Sequence, residues 1–346
     1  MGTVKRIRSA QESFWTHKVL RSLAEELDRY YADPSAYNPE KLKELASTFF
    51  EELKKIIDDR SLLKKFASDL REKAPTAFSV MKKVFKTLPS GEVDDFGLDR
   101  NFELAIKPFF DFLFTKYFRV DVKGIENISH EGRTLLVSNH SGVLPYDAAM
   151  IKIAVFNEHP ARREVRFLVD DFVFHFPFLG TLMNRIGGVR ACPENAERLL
   201  NHDELIVVFP EGMKGISKKF NDRYKLQRFG RGGTIRLALK TKSPIVPVSV
   251  IGAEEIHPLL YKSTMLARPL GLPFIPVTPT FPFLGPLGAI PLPTKWSIHF
   301  GKPLQFDWAT SRDLNDGILI NRETEKLREI IQRMILEGLK DRKTVF

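Results

Sequence analysis

From about residue 117 onward, short runs of β-branched and other apolar residues alternate with segments of helical periodicity. This alternation restricts the fold more than any other feature of the chain. TLLVSNH, VRFLVD, LIVVFPEG and PIVPVSVIG read as strands, whereas PENAERLLNH and TIRLALKTK read as helices. Runs such as LIVVF are apolar at consecutive positions, as expected of strands covered on both faces. We therefore expect an α/β fold with a mixed, largely parallel sheet flanked by helices.

The chain is predicted to comprise two regions. Residues 1–99 read as an N-terminal helical region, in which apolar positions recur at helical spacing up to a turn-rich segment at 88–99. We expect these helices to form a layer packed on the main domain rather than a dedicated membrane or partner helix. Residues 100–346 are the predicted α/β domain. It closes with a helix at about 320–342, whose apolar stripe is explained by core packing.

An apolar segment rich in proline interrupts the α/β domain. Residues 269–293 contain no charged side chain, which on length alone would suggest a membrane span. The eight prolines exclude a spanning helix, because each removes a backbone donor and lipid does not tolerate exposed irregular backbone. We predict a loop that either covers the core or enters a membrane interface through its aromatic residues Phe274, Phe281 and Phe283.

The charge of the chain is concentrated in its C-terminal portion. The formal net charge is +10, yet the first 100 residues hold 19 Lys and Arg against 17 Asp and Glu. The basic excess therefore belongs to the predicted α/β domain. It indicates an anionic partner, for which anionic lipid, a phosphorylated substrate and nucleic acid are candidates.

The single cysteine, Cys192, excludes an internal disulfide and a multi-thiolate metal site. Low cysteine content is typical of a reducing cytoplasmic compartment. The N-terminus has basic residues without the apolar run of a secretory signal. We predict a cytoplasmic protein that is peripheral on the membrane and has neither a signal peptide nor a transmembrane helix.

The segment TLLVSNHSGVLPYDAAM, residues 134–150, holds the most informative polar residues. A strand-like run delivers Asn139 and His140 into a turn that ends at Asp147. Loops at the carboxyl ends of strands are where α/β folds place ligands and catalytic groups. A histidine can take a proton from a hydroxyl when a carboxylate holds its second ring nitrogen, and His140 and Asp147 can fill these roles. A lone His near an Asp is more often structural, so neighbouring motifs must decide.

Three further segments carry charged residues that could contact a substrate. LIVVFPEGMKG runs from an apolar strand into a turn at Glu211, for which helix capping is the alternative role. RIGGVRA places Arg190 on a short strand, and its planar guanidinium suits phosphate. Residues 212–242 hold ten Lys or Arg against one acid. Within them, Arg231 lies among glycines that open a helix, where an anion could meet free backbone N–H groups.

In chain order, NHSGVLPYD, IGGVRA, VFPEG and PIVPVSV resemble the four sequence blocks of the glycerolipid acyltransferase family. This family includes glycerol-3-phosphate, lysophosphatidate and lysophospholipid acyltransferases. The resemblance covers roughly residues 100–305. It implies the fold of that family and the transfer of a fatty acyl group from acyl-CoA or acyl-carrier protein, as co-substrate, to a glycerolipid hydroxyl at a membrane surface. No cofactor or metal is implied.

The resemblance also implies roles for individual residues. The His and Asp of the first block are a general base and its orienting carboxylate, which correspond to His140 and Asp147. The later blocks hold the phosphate-bearing acceptor, shape the site and contact the acyl-donor side. The corresponding residues here are Arg190, Glu211, Gly212 and Pro247.

Three departures bear on the acceptor. Six residues separate His140 from Asp147, whereas four are commonest in the family. The third block continues with Met213 and Lys214 instead of Thr-Arg, which replaces a bidentate guanidinium by a point charge. The segment GGVRACPENAERLL resembles the diacylglycerol acyltransferase-like branch, whose acceptors are neutral. The acceptor is therefore predicted to be a lysophospholipid or lysophosphatidate, with a neutral mono- or diacylglycerol as the alternative.

We expect direct transfer, in which His140 deprotonates the acceptor and the oxygen attacks the thioester. The chain lacks the G-x-S-x-G motif of serine hydrolases. Backbone amides near Gly142 could stabilise the oxyanion. Two other functions are open to the sequence: a non-catalytic lipid-binding protein of the same fold, and nucleic-acid binding through residues 212–242. The latter is disfavoured because no recognised nucleic-acid motif is present.

Overall fold

The computed structural model of the chain describes residues 91–175, 179–265, 267, 272–281, 290–310 and 312–346. The described residues up to 278, and those from 290 onward, belong to one compact unit. The prediction for residues 1–99 lies outside the described residues except for the last nine. The predicted loop at 269–293 is described only in part.

Seven strands of the described chain form one mixed sheet, which confirms the predicted fold class. Their order is β1-β9-β6-β2-β5-β3-β4. The neighbours from β6 to β4 are parallel, and β9 runs antiparallel to β6 and parallel to β1. The strands are β1 Asp121–Lys123, β2 Thr134–Ser138, β3 Val165–Val169, β4 Gly188–Arg190, β5 Leu205–Val208, β6 Ile245–Ile251 and β9 Ser297–Phe300. A separate hairpin pairs β7 Tyr261–Ser263 with β8 Ile275–Val277.

Helices cover both faces of the sheet. On one face lie α1 Arg100–Phe112, followed by a π-helical turn at Leu113–Tyr117, and α2 Tyr146–Glu158. On the other face lie α5 Pro193–Asn201, α7 Gly233–Thr241 and α8 Gly317–Asp341. The shorter helices are α3 Asp171–Phe174, α4 Leu179–Arg185 and α6 Met213–Ile216.

The central strand β2 shows why its sequence is apolar at consecutive positions. Leu136 packs into the core on the side of α2, whereas Leu135 and Val137 pack into the core on the side of α7 and α8. Successive side chains of a strand point to opposite faces, so a strand covered on both faces must be apolar throughout. All five residues of β2 are buried.

The carboxyl ends of β2, β5 and β6 lie side by side, because β2 pairs in parallel with the other two strands. The chain segments that leave these strands therefore meet at one edge of the sheet. They contain His140, Glu211 and the short 3₁₀ helix Ala253–Glu255. We call this side the carboxyl edge.

The amino ends of β3 and β4 carry a buried charge cluster of their own. Lys152 of α2 contacts the carboxylates of Glu103, at 2.7 Å, and of Glu164, and it donates to the carbonyl of Val165 at 3.1 Å. Glu164 directly precedes β3, so the cluster lies at the edge of the sheet opposite His140. Burial lowers the pKa of Lys152, although the nearby Glu103 carboxylate opposes the shift.

The C-terminal helix α8 begins where Asp316 accepts hydrogen bonds from the amides of Ile318 and Leu319. Its residues Leu327, Ile331 and Ile335 are fully buried against the sheet. In the part of the chain that the structure describes, no helix combines the length and the apolar character needed to cross a bilayer.

Candidate active site

His140 and Asp147 form a hydrogen-bonded pair at the carboxyl end of β2. Nδ1 of His140 lies 2.7 Å from Oδ2 of Asp147. An ionised carboxylate can only accept a hydrogen bond, so the proton of the neutral ring sits on Nδ1 and Nε2 is its basic nitrogen. Asp147 is fully buried, whereas the His140 side chain keeps 15% of its surface exposed. The pair can therefore present a base to a bound hydroxyl.

Backbone amides fix the position of the Asp147 carboxylate. Oδ2 also accepts from the amide of Ser141 at 2.8 Å, and Oδ1 accepts from the amide of Ala148 at 2.9 Å. Asp147 lies in the first turn of α2, where the helix dipole favours a negative charge. These contacts hold the carboxylate in one orientation.

The six residues between His140 and Asp147 are accommodated by a tight turn. Gly142 adopts φ +84°, and a Cβ at this position would lie 3.0 Å from the carbonyl oxygen of Ala253. The amide of Ser141 reaches Asp147 across the base of the turn. The longer spacing therefore does not separate the pair, because the extra residues loop outward.

His140 packs against two neighbours. It stacks on Phe209, with ring centroids 4.4 Å apart and an interplanar angle of 24°. Gly215 packs against its other atoms, since a Cβ on this glycine would lie only 2.7 Å from Cβ of His140. A larger residue at position 215 would have to displace the histidine or the turn after β5.

The carboxylate of Glu211 points inward and binds backbone. Oε1 accepts from the amide of His140 at 2.9 Å, and Oε2 accepts from the amide of Gln227 at 2.6 Å. The side chain has no exposed surface. The role of Glu211 in substrate binding stays a prediction. In the structure, its carboxylate ties the turn of His140 to Gln227.

Asn139 and Pro247 are both buried, and their predicted role in binding substrate stays a prediction. The Asn139 amide is buried and exchanges two hydrogen bonds with the backbone of Val250, at 2.9 and 2.8 Å, so it joins the ends of β2 and β6. Pro247 lies inside β6 and is buried. Its carbonyl accepts a hydrogen bond from the amide of Gly301, just beyond the end of β9. The N–H and C=O of one strand residue point to the same side, so the N–H that proline lacks would not have faced β2, and no hydrogen bond to β2 is lost. Both residues support the site from within the sheet.

Beneath the turn, Lys218 lies between two buried carboxylates. Its Nζ is 3.3 Å from Oε2 of Glu211 and 2.8 Å from Oε1 of Glu254. Burial raises the pKa of Glu254 to about 7, although Lys218 and the amide of Tyr224 act in the opposite direction. Burial alone would lower the pKa of Lys218, but the Glu254 and Glu211 carboxylates outweigh it and raise that pKa.

The remaining predicted site residues lie at the same edge of the sheet as His140. Arg190 ends the edge strand β4, three strands from β2 and so about 14 Å away. Its guanidinium makes a bidentate pair with Asp171, at 2.5 and 2.7 Å, and both side chains are exposed. Gly212 precedes α6 with φ +53°. Lys214 on α6 and Arg231 before α7 are exposed.

A shallow pocket opens beside the turn of His140. Its lining includes Gly142 and Val143 from that turn, Gly215 and Ile216 from α6, the cationic residues Lys218, Lys219 and Arg223, and the carboxylate residue Glu254. Within the described ranges, no cluster of three or more His, Cys, Asp or Glu side chains is placed to hold a metal ion.

Sequence reasoning missed four residues that shape this site: Phe209, Gly215, Lys218 and Glu254. Phe209 and Gly215 flank Glu211 in LIVVFPEGMKG and could have been found by treating the whole turn as one unit. Glu254 follows the apolar strand β6, and the rule that singled out Glu211 applies equally to it. Nothing in the sequence distinguishes Lys218 from the nine other cations of residues 212–242.

The model of a protein family described as Acyltransferase matches residues 119–251, which include β1 to β6 and the His140–Asp147 pair. Proteins described as uncharacterized from Mycobacterium tuberculosis and Mycobacterium bovis are 48% identical over 255 residues, which cover 73% of this chain and 71% of theirs. A Mycobacterium leprae protein, also described as uncharacterized, has the same identity over 70% of its length.

Among solved structures, the chain is similar to the 1-acyl-sn-glycerophosphate acyltransferase PlsC from Thermotoga maritima. The sequence identity is 20%, and the TM-score is 0.47. The match covers 71% of this chain and 82% of that one.

Proposed function

Because this chain belongs to the acyltransferase family, we propose that it transfers a fatty acyl group from an acyl thioester to a hydroxyl of a lysophospholipid or lysophosphatidate at a membrane surface. The observation that carries the proposal is the His140–Asp147 pair. Its carboxylate is fixed by three hydrogen bonds, and Nε2 is left as the basic nitrogen. Acyl-CoA and acyl-carrier protein both carry the acyl group as the thioester that this reaction requires.

In the proposed reaction, Nε2 of His140 removes the proton of the acceptor hydroxyl as the oxygen attacks the thioester carbonyl carbon. The new C–O bond gives a tetrahedral intermediate with a negatively charged oxygen. This intermediate collapses with cleavage of the C–S bond, and the departing thiolate takes the proton from the imidazolium. Asp147 stays ionised throughout and stabilises the imidazolium.

The pocket beside the turn supports a place for the reacting carbonyl. Gly142 and Val143 line it, and within the described chain their backbone N–H groups donate to no protein acceptor. Amides of this kind stabilise an oxyanion without rearrangement during the reaction. We propose that these two N–H groups face the carbonyl oxygen of the thioester.

A phosphate-bearing acceptor is supported by the charge around the pocket. Lys219 and Arg223 line it, and exposed Lys214 follows the Glu211 turn. The ion pair of Arg190 with Asp171 favours the second candidate, a neutral mono- or diacylglycerol. With that guanidinium already bound, phosphate recognition would rest on the lysines and Arg223 alone.

Contact with a membrane is supported by an exposed apolar strip on α1. Leu104, Phe109 and Phe112 are each more than half exposed, and they lie on neighbouring turns of this helix. Apolar side chains of this size on a helix surface suit the boundary between lipid head groups and acyl chains. Insertion of this strip into the membrane boundary would bring the active site close to a lipid acceptor.

The test is the release of free thiol from acyl-CoA by the purified full-length protein, with a panel of acceptors. The panel contains lysophosphatidate, lysophospholipids, glycerol 3-phosphate and mono- and diacylglycerol. We expect His140→Ala and Asp147→Asn to lower acceptor-dependent turnover by about 10²- to 10⁴-fold, the usual contribution of general base catalysis.

Two variants serve as controls. His202→Ala removes an exposed histidine at the end of α5, and Cys192→Ser removes the only thiol. Both should turn over acceptor like the wild type. Undiminished turnover by His140→Ala would refute the assignment, and turnover confined to neutral glycerides would select the second candidate.

A further inference from the structure

Lys218 occupies a position that the acyl-transfer mechanism does not use. Its side chain is 3% exposed, and the carboxylates of Glu211 and Glu254 that flank it are 0% and 5% exposed. An ammonium group is expensive to bury and is retained only where carboxylates compensate it. Here one cation compensates two acids, and the remaining oxygens of both acids bind backbone amides.

Those amides belong to the segments that build the active site. Glu211 holds the amides of His140 and Gln227, and Glu254 holds the amide of Tyr224 at 3.0 Å. The Tyr224 hydroxyl in turn accepts from the amide of Gly252, at the end of β6. The cluster thus joins the turn of His140, the turn after β5, residues 224–227 and the end of β6.

We propose that Lys218 is a positioning residue for acyl transfer, whose ammonium holds the Glu211 carboxylate and thereby the backbone of His140 in place. Lys218 itself does not contact the pair of His140 and Asp147. It acts through Glu211, whose two oxygens accept from the main-chain amides of His140 and Gln227. This inference rests on the proposed acyl transfer for its kinetic readout.

Removing the ammonium would leave two buried carboxylates close together with no cation between them. Both carboxylates contact Nζ, so they lie at most about 6 Å apart in a site with little water. In Lys218→Met, the two buried carboxylates would face each other without a cation, and burial already raises the pKa of Glu254 to about 7. Loss of the contact with Nζ, together with repulsion from Glu254, would let Glu211 shift and weaken its hold on the His140 amide.

The kinetic expectation is specific. Lys218→Met should lower kcat by about 10- to 100-fold, since small displacements of a catalytic group have effects of this size, with KM changed less than about threefold. The kcat of the variant should fall further as pH rises above about 7, because the charge on Glu254 is then compensated by no cation. The titratable groups around Glu254 are Glu211, Lys218 and the phenol of Tyr224, with Glu255 and Arg342 beside that phenol, and His257 lines the same pocket.

A second substitution should reverse the defect. In Lys218→Met with Glu254→Gln, one acid is replaced by a neutral amide, so Glu211 no longer faces a second carboxylate. We expect kcat to recover at least severalfold and its fall above pH 7 to disappear. If Lys218→Met does not fold, Lys218→Arg retains the cation and should keep kcat within about tenfold, whereas Lys218→Gln should not.

Lys152→Met is the matched control. It also removes a buried lysine between two carboxylates, but at the opposite edge of the sheet. Per folded molecule, it should leave kcat and its pH profile unchanged. If both variants alter the profile alike, or if Lys218→Met lowers only the folded fraction, Lys218 is not a positioning residue.

Hydrogen exchange of the His140 amide separates this inference from the proposed function. The amide donates to Glu211, so its protection should fall in Lys218→Met and persist in Lys152→Met, whether or not any acceptor is turned over. A wild type without activity on every acceptor would refute acyl transfer alone. Unchanged protection of the His140 amide in Lys218→Met would overturn the role of Lys218.

Discussion

The two edges of the sheet each bury a lysine between two glutamates, but the surroundings of the two lysines differ. At the amino edge, Lys152 contacts Glu103, Glu164 and the carbonyl of Val165, all within the framework that joins α1, α2 and β3. At the carboxyl edge, Lys218 contacts Glu211 and Glu254, which bind the amides of turns. The pKa of Lys152 is lowered by burial, and that of Lys218 is raised by its carboxylates.

This difference shows that position in the sheet, more than the chemistry of the cluster, decides what a buried ion pair can do. Chain segments leaving parallel strands at their carboxyl ends are free to form turns, and turns carry the reacting groups. A cluster among such turns can hold a catalytic residue in place. The same cluster at the amino edge can only join helices and strands.

The largest expected effect is a loss of stability when the buried lysine at the amino edge is replaced. Lys152→Met leaves two buried carboxylates without their cation, and breaking a buried ion pair in this way costs about 3 to 5 kcal/mol. Urea unfolding should show this loss of stability. The fraction that remains folded should turn over acceptor at the rate of the wild type, and a lower rate would show that the amino edge also positions the site.

The second prediction concerns pH. The pKa of Glu254 is about 7 in the folded protein and about 4.5 when unfolded, so its contribution to stability is fully present below pH 4.5 and is lost as pH rises through 7. At about 1.4 kcal/mol per pKa unit, the loss is roughly 3 kcal/mol. Glu254→Gln should lack this loss. Stability curves of wild type and variant that run parallel from pH 4.5 to 8 would contradict the prediction.

The third prediction sharpens the role of close packing at the carboxyl edge. Gly215→Ala places a Cβ within 2.7 Å of Cβ of His140, so the histidine must shift. Displacement of a catalytic group by about 1 Å can cost about 100-fold in kcat. Gly233→Ala is the control, since a Cβ there meets no atom within 4 Å. Equal turnover by the two variants would mean that the turn adjusts without moving His140.

The smallest effect is expected for Arg190→Ala. The guanidinium lies on the edge strand and pairs with Asp171 in an exposed setting, where ion pairs contribute little to stability. KM for a phosphate-bearing acceptor should change by less than about threefold, and unfolding should be nearly unaffected. A tenfold or greater rise in KM for lysophosphatidate, but not for diacylglycerol, would indicate that Arg190 binds the phosphate of the acceptor.

Much of the fold was predictable because its strands are covered on both faces and therefore read as uninterrupted apolar runs. The turn that contains His140 and Asp147 was predictable for a related reason, since polar residues directly after a buried strand stand out. The contacts of Lys218 were not predictable, because its partners come from segments separated by up to 36 residues. The pairing of Arg190 with Asp171 was missed because local sequence does not show which carboxylate faces an edge strand.

The position of β2 between β5 and β6 has a consequence for how the protein becomes active during synthesis. His140 is made early, but the Asn139 side chain that anchors its turn binds Val250, 111 residues later. Contacts this distant in sequence form slowly and late in folding. A nascent chain therefore carries an incomplete site until residues beyond β6 have left the ribosome and β6 has paired. Catalytic activity then reports on assembly of the whole sheet rather than on any one segment.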